Sequence, residues 1–191
     1  VPLVHYVSGG AKGPTQPAAS TAPQPPKLIT GHLPVNPTGT DILLAAHSVP
    51  KDGRLFGAER SFLDMAQALS KFDCNLNILL PNDNPDYVGR LRPYCARIFI
   101  MPFSWWRAGQ DVQPQAIKQI QGIISRTNTK LVYTNTIMLR EPLLAARAEK
   151  VSTAVHCREL ISGDAQLASV IGKTPEEIVS AVQGAADYMV A

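Results

Sequence analysis

Cysteine is scarce in this sequence and forms no pattern. Cys74, Cys95 and Cys157 are an odd, widely spaced set, with no Cys-x-x-Cys and no Cys/His pair at zinc spacing. That argues against a disulfide framework and a structural zinc, and it fits a reducing, cytoplasmic compartment. Long apolar runs are also missing, so no segment approaches the length that crosses a bilayer. The N-terminus lacks the charged-then-apolar order of a signal peptide, while a peripheral contact at the inner face of the membrane stays open. No basic run is interleaved with aromatics, and the net charge is only +3, which gives no argument for nucleic acid. Acidic residues are absent from the first forty positions, the first being Asp41.

Those forty residues are a different material in other ways. They hold eight of the sixteen prolines and five of the thirteen glycines. Residues 13–26 read as a semi-rigid polyproline linker, and an SH3-type ligand role lacks the flanking arginine such motifs use. The chain starts at Val1 without a methionine, which is expected of a segment of something longer. Residues 1–40 are therefore read as a linker or the tail of a preceding region, and residues 41–191 as the globular domain. An apolar content of 45% and a charged content of 17% suit a folded domain of this length.

From Asp41 onward, strand and helix patterns alternate. Strands are expected at residues 41–47, 76–80, 97–101, 131–134, 153–157 and 187–190. Residues 58–71 form a helix pattern with Phe62, Met65, Ala66 and Leu69 on one face, and residues 114–125 another with Ile117, Ile120 and Ile124 inward. Pro142 suits the first position of a further helix. Thr174-Pro-Glu-Glu177 is a helix start with cap, proline and capping-box glutamate together. This alternation with short connections predicts an α/β, Rossmann-like, doubly wound parallel sheet of about six strands with helices on both faces.

The chemistry of such a sheet gathers at the carboxyl ends of its strands. Asp41-Ile-Leu-Leu-Ala-Ala-His-Ser48 runs into a glycine-containing loop that opens a helix at Phe56-Gly-Ala-Glu59. A helix start there offers backbone N–H groups and a positive dipole end to an anion; equally, Gly57 and Glu59 simply begin a helix. Ser152-Thr-Ala-Val-His-Cys-Arg-Glu-Leu160 ends a strand on a histidine followed by Arg158 and Glu159. Lys130-Leu-Val-Tyr-Thr-Asn-Thr136 ends on polar residues, where Asn135 either meets a ligand hydroxyl or caps the next turn. Phe103-Ser-Trp-Trp-Arg107 places two tryptophans and an arginine at another strand end. They can stack on a sugar and hold phosphate, with one tryptophan expected in the core and one exposed. His47 and His156 together lack a third ligand, so no metal is expected.

These segments resemble the N-terminal half of a two-domain glycosyltransferase of the GT-B architecture, family 4 in particular. Members commonly carry a Gly-Gly-(Ala or Val)-Glu loop, matched here at Gly57, Ala58 and Glu59 but with Phe56 in the first glycine place, which limits how closely a ligand approaches the backbone. Some members read His-x-Arg-Glu where this chain has His156, Arg158 and Glu159.

The resemblance implies a retaining hexosyltransferase that moves a sugar from a nucleotide-sugar donor to a glycan or lipid-linked acceptor, without a metal or other cofactor. It implies His156 as the catalytic residue at the cleft. It implies Gly57, Ala58, Glu59, Arg158 and Glu159 near the donor phosphate and sugar, and Asn135, Trp105, Trp106 and Arg107 near the acceptor. The family's Glu-x7-Glu motif belongs to a C-terminal donor-binding domain that the resemblance does not cover, which implies a chain that folds but does not turn over alone. The alternatives are a flavodoxin-like binding module or a non-catalytic interaction domain. A dinucleotide-binding dehydrogenase is disfavoured because no Gly-x-Gly-x-x-Gly follows the first strand.

Overall fold

The computed structural model of the chain describes residues 24–49, 55–159 and 161–190. Most of the proline-rich segment, and all of residues 1–7, lie outside the described residues. Seven strands form one sheet: β1 (Lys27–Thr30), β2 (Thr40–Ala45), β3 (Cys74–Leu80), β4 (Arg97–Ile100), β5 (Leu131–Thr134), β6 (Ser152–His156) and β7 (Tyr188–Val190). Their order is β1-β4-β3-β2-β5-β6-β7. Every pairing is parallel except the first, where β1 runs antiparallel to β4.

The six strands expected from the sequence are all present, and the doubly wound α/β class holds. The seventh strand, β1, lies before residue 41, inside the segment read as linker. Its composition hid it: a four-residue edge strand flanked by prolines has no room to show alternation. Close backbone approach anchors residues 31–33, directly after β1. Gly31 N donates to Ala96 O at 2.8 Å and Leu33 N to Cys95 O at 3.1 Å. A Cβ on Gly31 would sit 1.9 Å from Cys95 O, so only glycine fits.

Alternation along the strands sorts the core into two faces. Leu43 and Ala45 of β2 point to the side covered by α3 (Pro114–Thr127) and α4 (Glu141–Ala148), against Ile120, Ile123, Ala145 and Ala146. Leu44 and Ala46 point to the side covered by α1 (Gly57–Leu69) and α2 (Pro85–Leu91), against Phe62, Ala66, Tyr87 and Leu91. The face expected of α1 is the observed one, with Phe62 and Ala66 fully buried and Met65 and Leu69 partly so. Two further helices, α5 (Ala165–Ile171) and α6 (Pro175–Ala185), close the β6 side through Ile171, Ile178 and Val182. The capping box at Thr174 and Glu177 is formed. Of these elements, α5 was not expected from the sequence, although Asp164 caps its start and Gly172, at φ 71°, its end.

The amino ends of the strands are tied by a polar network. Asp41 accepts from Asn75 Nδ2 at 3.1 Å and Asn77 Nδ2 at 3.0 Å, and Arg97 donates to Asn77 Oδ1 at 3.0 Å. Asn75 Nδ2 also reaches Asn36 O at 2.9 Å, and its Oδ1 accepts from Asn36 N at 2.7 Å. No helix among the described residues is long and apolar enough to cross a membrane.

Two substitutions test this account. Gly31→Ala is expected to lower stability by about 2 kcal/mol, the scale of overpacking a filled position; if residues 24–40 were only linker, the urea midpoint would not move. Asp41→Ala strips Asn75 and Asn77 of a shared acceptor and Arg97 of its ion pair at 3.6 Å, and is expected to cost about 2 kcal/mol, read as a lower midpoint at unchanged m-value.

Candidate functional site

Chain order runs from β2 outward to β3 and β4 on one side, then to β5, β6 and β7 on the other. The crevice at that reversal, above the carboxyl ends of β2 and β5, is where ligands enter such sheets. Ala45 of β2 pairs with Thr134 of β5, and Thr134 with Val155 of β6. One residue further along, Asn135 and His156 stand on neighbouring strands at the same level, with His47 just past the end of β2.

The helix α1 starts beside this edge. Its first intrahelical bond is Arg60 N to Phe56 O, so the N–H groups of Gly57, Ala58 and Glu59 precede the helical ladder. Phe56 is 64% exposed, and a Cβ on Gly57 would meet nothing within 4 Å. Among the described residues, the space above the helix start is therefore open despite the phenylalanine. Arg158 brings its guanidinium to Gly57 O at 3.4 Å and Ala58 O at 3.5 Å. A cation and a helix N-terminus side by side form an anion-seeking corner.

Around that corner, buried polar atoms lack partners. Asn135 is 1% exposed, and neither its Oδ1 nor its Nδ2 is hydrogen-bonded among the described residues. The same holds for His47 Nδ1, Glu59 Oε2 and His156 Nδ1. Each such group costs about 1–3 kcal/mol when left unsatisfied, so their concentration at one strand edge calls for a reason. His156 packs its ring edge-on to Tyr133 at 6.5 Å. Glu59 is half engaged: Ser48 Oγ donates to Oε1 at 2.5 Å.

Glu159 does a different job. The Thr136 hydroxyl donates to its Oε1, while Ile137 N at 3.3 Å and Arg158 N at 3.2 Å donate to Oε2. Both oxygens are taken, and the residue braces the β5–α4 loop against the segment after β6. The tryptophans divide as expected. Trp106 is buried among Ile137, Met138 and Leu143, away from the corner. Trp105 is exposed, donates to His47 O, lies 5.3 Å from the His47 ring and carries Arg107 over its face at 5.4 Å. Of the residues read as acceptor-binding, Trp105, Arg107 and Asn135 gather here and Trp106 does not.

Ser48 is the residue that sequence reasoning left out of the site, and His47, placed at the strand end there, was weighed only as a metal ligand. The signal was available: His47 follows the first parallel strand as His156 ends a later one. Burial lowers the pKa of His47 below 6.5; the Asn135 amide beside it and the Glu59 and Glu159 carboxylates oppose that, and Arg158 adds to it. Among the described residues no three His, Cys, Asp or Glu side chains are grouped to hold a metal ion. An open hollow of about 480 Å³ lined by Arg147, Lys150, Asp187 and Tyr188 lies at the opposite, amino end of β6.

No protein-family model matches the chain, and no curated protein matches it. Solved structures do. The S. aureus MnaA–UDP complex is 15% identical with a TM-score of 0.50, over 80% of this chain and 37% of that one. A UDP-N-acetylglucosamine 2-epimerase is 10% identical with a TM-score of 0.55, over 80% of this chain and 42% of that one. The chain thus spans about two fifths of the length of the structures it resembles. At these identities the likeness establishes the fold alone, the mostly parallel α/β sheet flanked by helices, and does not single out family 4.

The lowered pKa of His47 has a measurable sign. Between 6.5 and its lower folded value, the unfolded chain binds a proton that the folded chain refuses. Stability contributed by neutral His47 is therefore present above 6.5 and lost as pH falls through the folded pKa. Stability measured against pH should fall less steeply over that window in His47→Gln than in the unsubstituted chain; identical slopes would show that His47 protonates alike in both states.

Proposed function

We propose that this chain is the N-terminal, acceptor-side domain of a retaining glycosyltransferase that moves a sugar from a nucleotide-sugar donor to a glycan or lipid-linked acceptor. The observation that carries the reading is the coincidence of two opposite chemistries at one strand edge. A positive corner, made by Arg158 and the start of α1, stands next to buried hydrogen-bonding groups of Asn135, Glu59 and His156 that lack partners among the described residues. A nucleotide sugar presents both halves of that pattern, a diphosphate and a ring of hydroxyls.

In transfer, the bond between the anomeric carbon and the diphosphate oxygen breaks, its electron pair leaving with the diphosphate, while the acceptor oxygen bonds to the same carbon and its proton passes to the departing diphosphate oxygen. The developing phosphate charge is met by Arg158 and the helix end. His156, with Nδ1 free at the strand end, holds the sugar at the reacting centre, and Trp105 with Arg107 lines the acceptor side. No metal is called for, because these groups already supply positive charge. A second domain completes the cleft, since transition-state stabilisation needs both walls, and this chain alone is expected to fold without turnover.

The test uses the full protein that carries this domain, with nucleotide release measured over a panel of UDP- and GDP-sugars. His156→Ala is expected to lower sugar-dependent release at least tenfold, about 1.4 kcal/mol of transition-state stabilisation. Undiminished release would return His156 to a structural role. No release with any donor, from folded protein, would favour a binding module. Recovery of an epimerised sugar in place of a glycoside would move the chain to the chemistry named for one of its structural neighbours.

A further inference from the structure

A hydrogen-bonded chain runs from Glu59 through Ser48 to His47, and the transfer chemistry above leaves it unused. Ser48 Oγ donates to Glu59 Oε1 at 2.5 Å and lies 3.3 Å from His47 Nε2. A serine hydroxyl has one proton to give. With that proton on Glu59, the contact to His47 is a hydrogen bond only if Nε2–H donates to Oγ. The imidazole is then the Nε2–H tautomer, and Nδ1 carries a bare lone pair. That atom is buried and unpartnered among the described residues, as are Glu59 Oε2 and both amide atoms of Asn135. Glu59 and Asn135 are 8% and 1% exposed.

We propose that His47 is a fixed-tautomer hydrogen-bond acceptor for a sugar hydroxyl, with Ser48 and Glu59 as the positioning residues that keep its proton on Nε2. That the hydroxyl belongs to a sugar rests on the glycosyltransferase reading; the tautomer does not. The neighbouring groups suit a hydroxyl and not an anion. Nδ1 and Glu59 Oε2 accept, Asn135 both donates and accepts, and a phosphate would face lone pairs. The phosphate is left to Arg158 and the start of α1. Trp105 lies against the His47 ring, and its exposed indole is the group a ligand displaces to reach Nδ1. The competing arrangement is internal: the Asn135 amide swings onto Nδ1 and satisfies it without a ligand.

The first arm is nitrogen NMR on the chain with labelled histidine, the four histidines being resolved by the signal lost in His47→Gln. Neutral, Nε2-protonated His47 is expected at about neutral pH. Ser48→Ala should release the tautomer, and Ser48→Thr, which keeps a hydroxyl, should preserve it; a packing role for Ser48 would not give that rescue. An Nδ1–H tautomer in the unsubstituted chain overturns the proposal.

The second arm uses the full protein and compares affinity for UDP-glucose with UDP, and for GDP-mannose with GDP. The sugar-dependent gain is expected to shrink about fivefold in Ser48→Ala, the scale of one hydrogen bond, and to return in Ser48→Thr. An unchanged gain, or none in the unsubstituted protein with either pair, overturns the ligand role and leaves Asn135 as the internal partner. Failures are separable. Turnover with an Nδ1–H tautomer keeps the transferase and removes the acceptor; a tautomer-dependent sugar gain without turnover removes transfer and keeps the acceptor.

Discussion

Two parallel pairings hold the candidate site together, β2 against β5 at Ala45–Thr134 and β5 against β6 at Thr134–Val155. Parallel strands end at the same edge of a sheet, so these pairings bring His47, Asn135 and His156 to one line although about 110 positions separate the first from the last. The reversal of strand order between β2 and β5 leaves a crevice at that line. The start of α1 fills one side of it, and the segment after β6 supplies Arg158. A slip of one residue in either pairing would turn Asn135 or His156 to the other face and dissolve the arrangement.

The two ends of the sheet treat polar groups in opposite ways. At the amino end, Asp41, Asn75, Asn77 and Arg97 form a network that also holds the backbone of Asn36. Buried polar groups of that kind rigidify the strand starts and specify one packing. At the carboxyl end, Asn135, Glu59, His47 and His156 keep atoms unpaired among the described residues. A fold selected for stability alone would pair or remove them, at a gain of about 1–3 kcal/mol each. Their survival at the crevice, while the amino end is satisfied, is the physical argument that this edge meets a ligand.

The loops divide that work. Glu159 spends both oxygens on Thr136, Ile137 and Arg158, fixing the β5–α4 loop directly after Asn135. Trp106, in the apolar cluster under α6, anchors the segment after β4, and Trp105 next to it can then lie over His47. Adjacent residues of like chemistry thus differ in placement, Trp106 buried and Trp105 exposed, Glu159 bonded through both oxygens and Arg158 held at the start of α1.

Much of this was legible in the chain itself. Alternating strand and helix patterns, the faces of α1 and α3, and the start signal at Thr174 were local statements, set by side-chain periodicity and capping, and each stands in the structure. Strand ends such as His156 and Asn135 were legible as candidates because the fold class says where ligands gather. The strand β1 was not, since four residues among prolines carry no period; its pairing with β4, and Gly31 pressed on Cys95 O just after it, show that it belongs. Nor was α5, a seven-residue helix with caps but little apolar repeat. The sequence by itself determined the α/β class and most of the elements, because those depend on neighbours within a few turns. Tertiary structure alone decided which tryptophan lies at the crevice, that Glu159 braces while Glu59 has one oxygen unpaired among the described residues, and that Ser48 joins Glu59 to His47. These depend on distances between segments far apart in sequence, which strand register sets and no local pattern encodes.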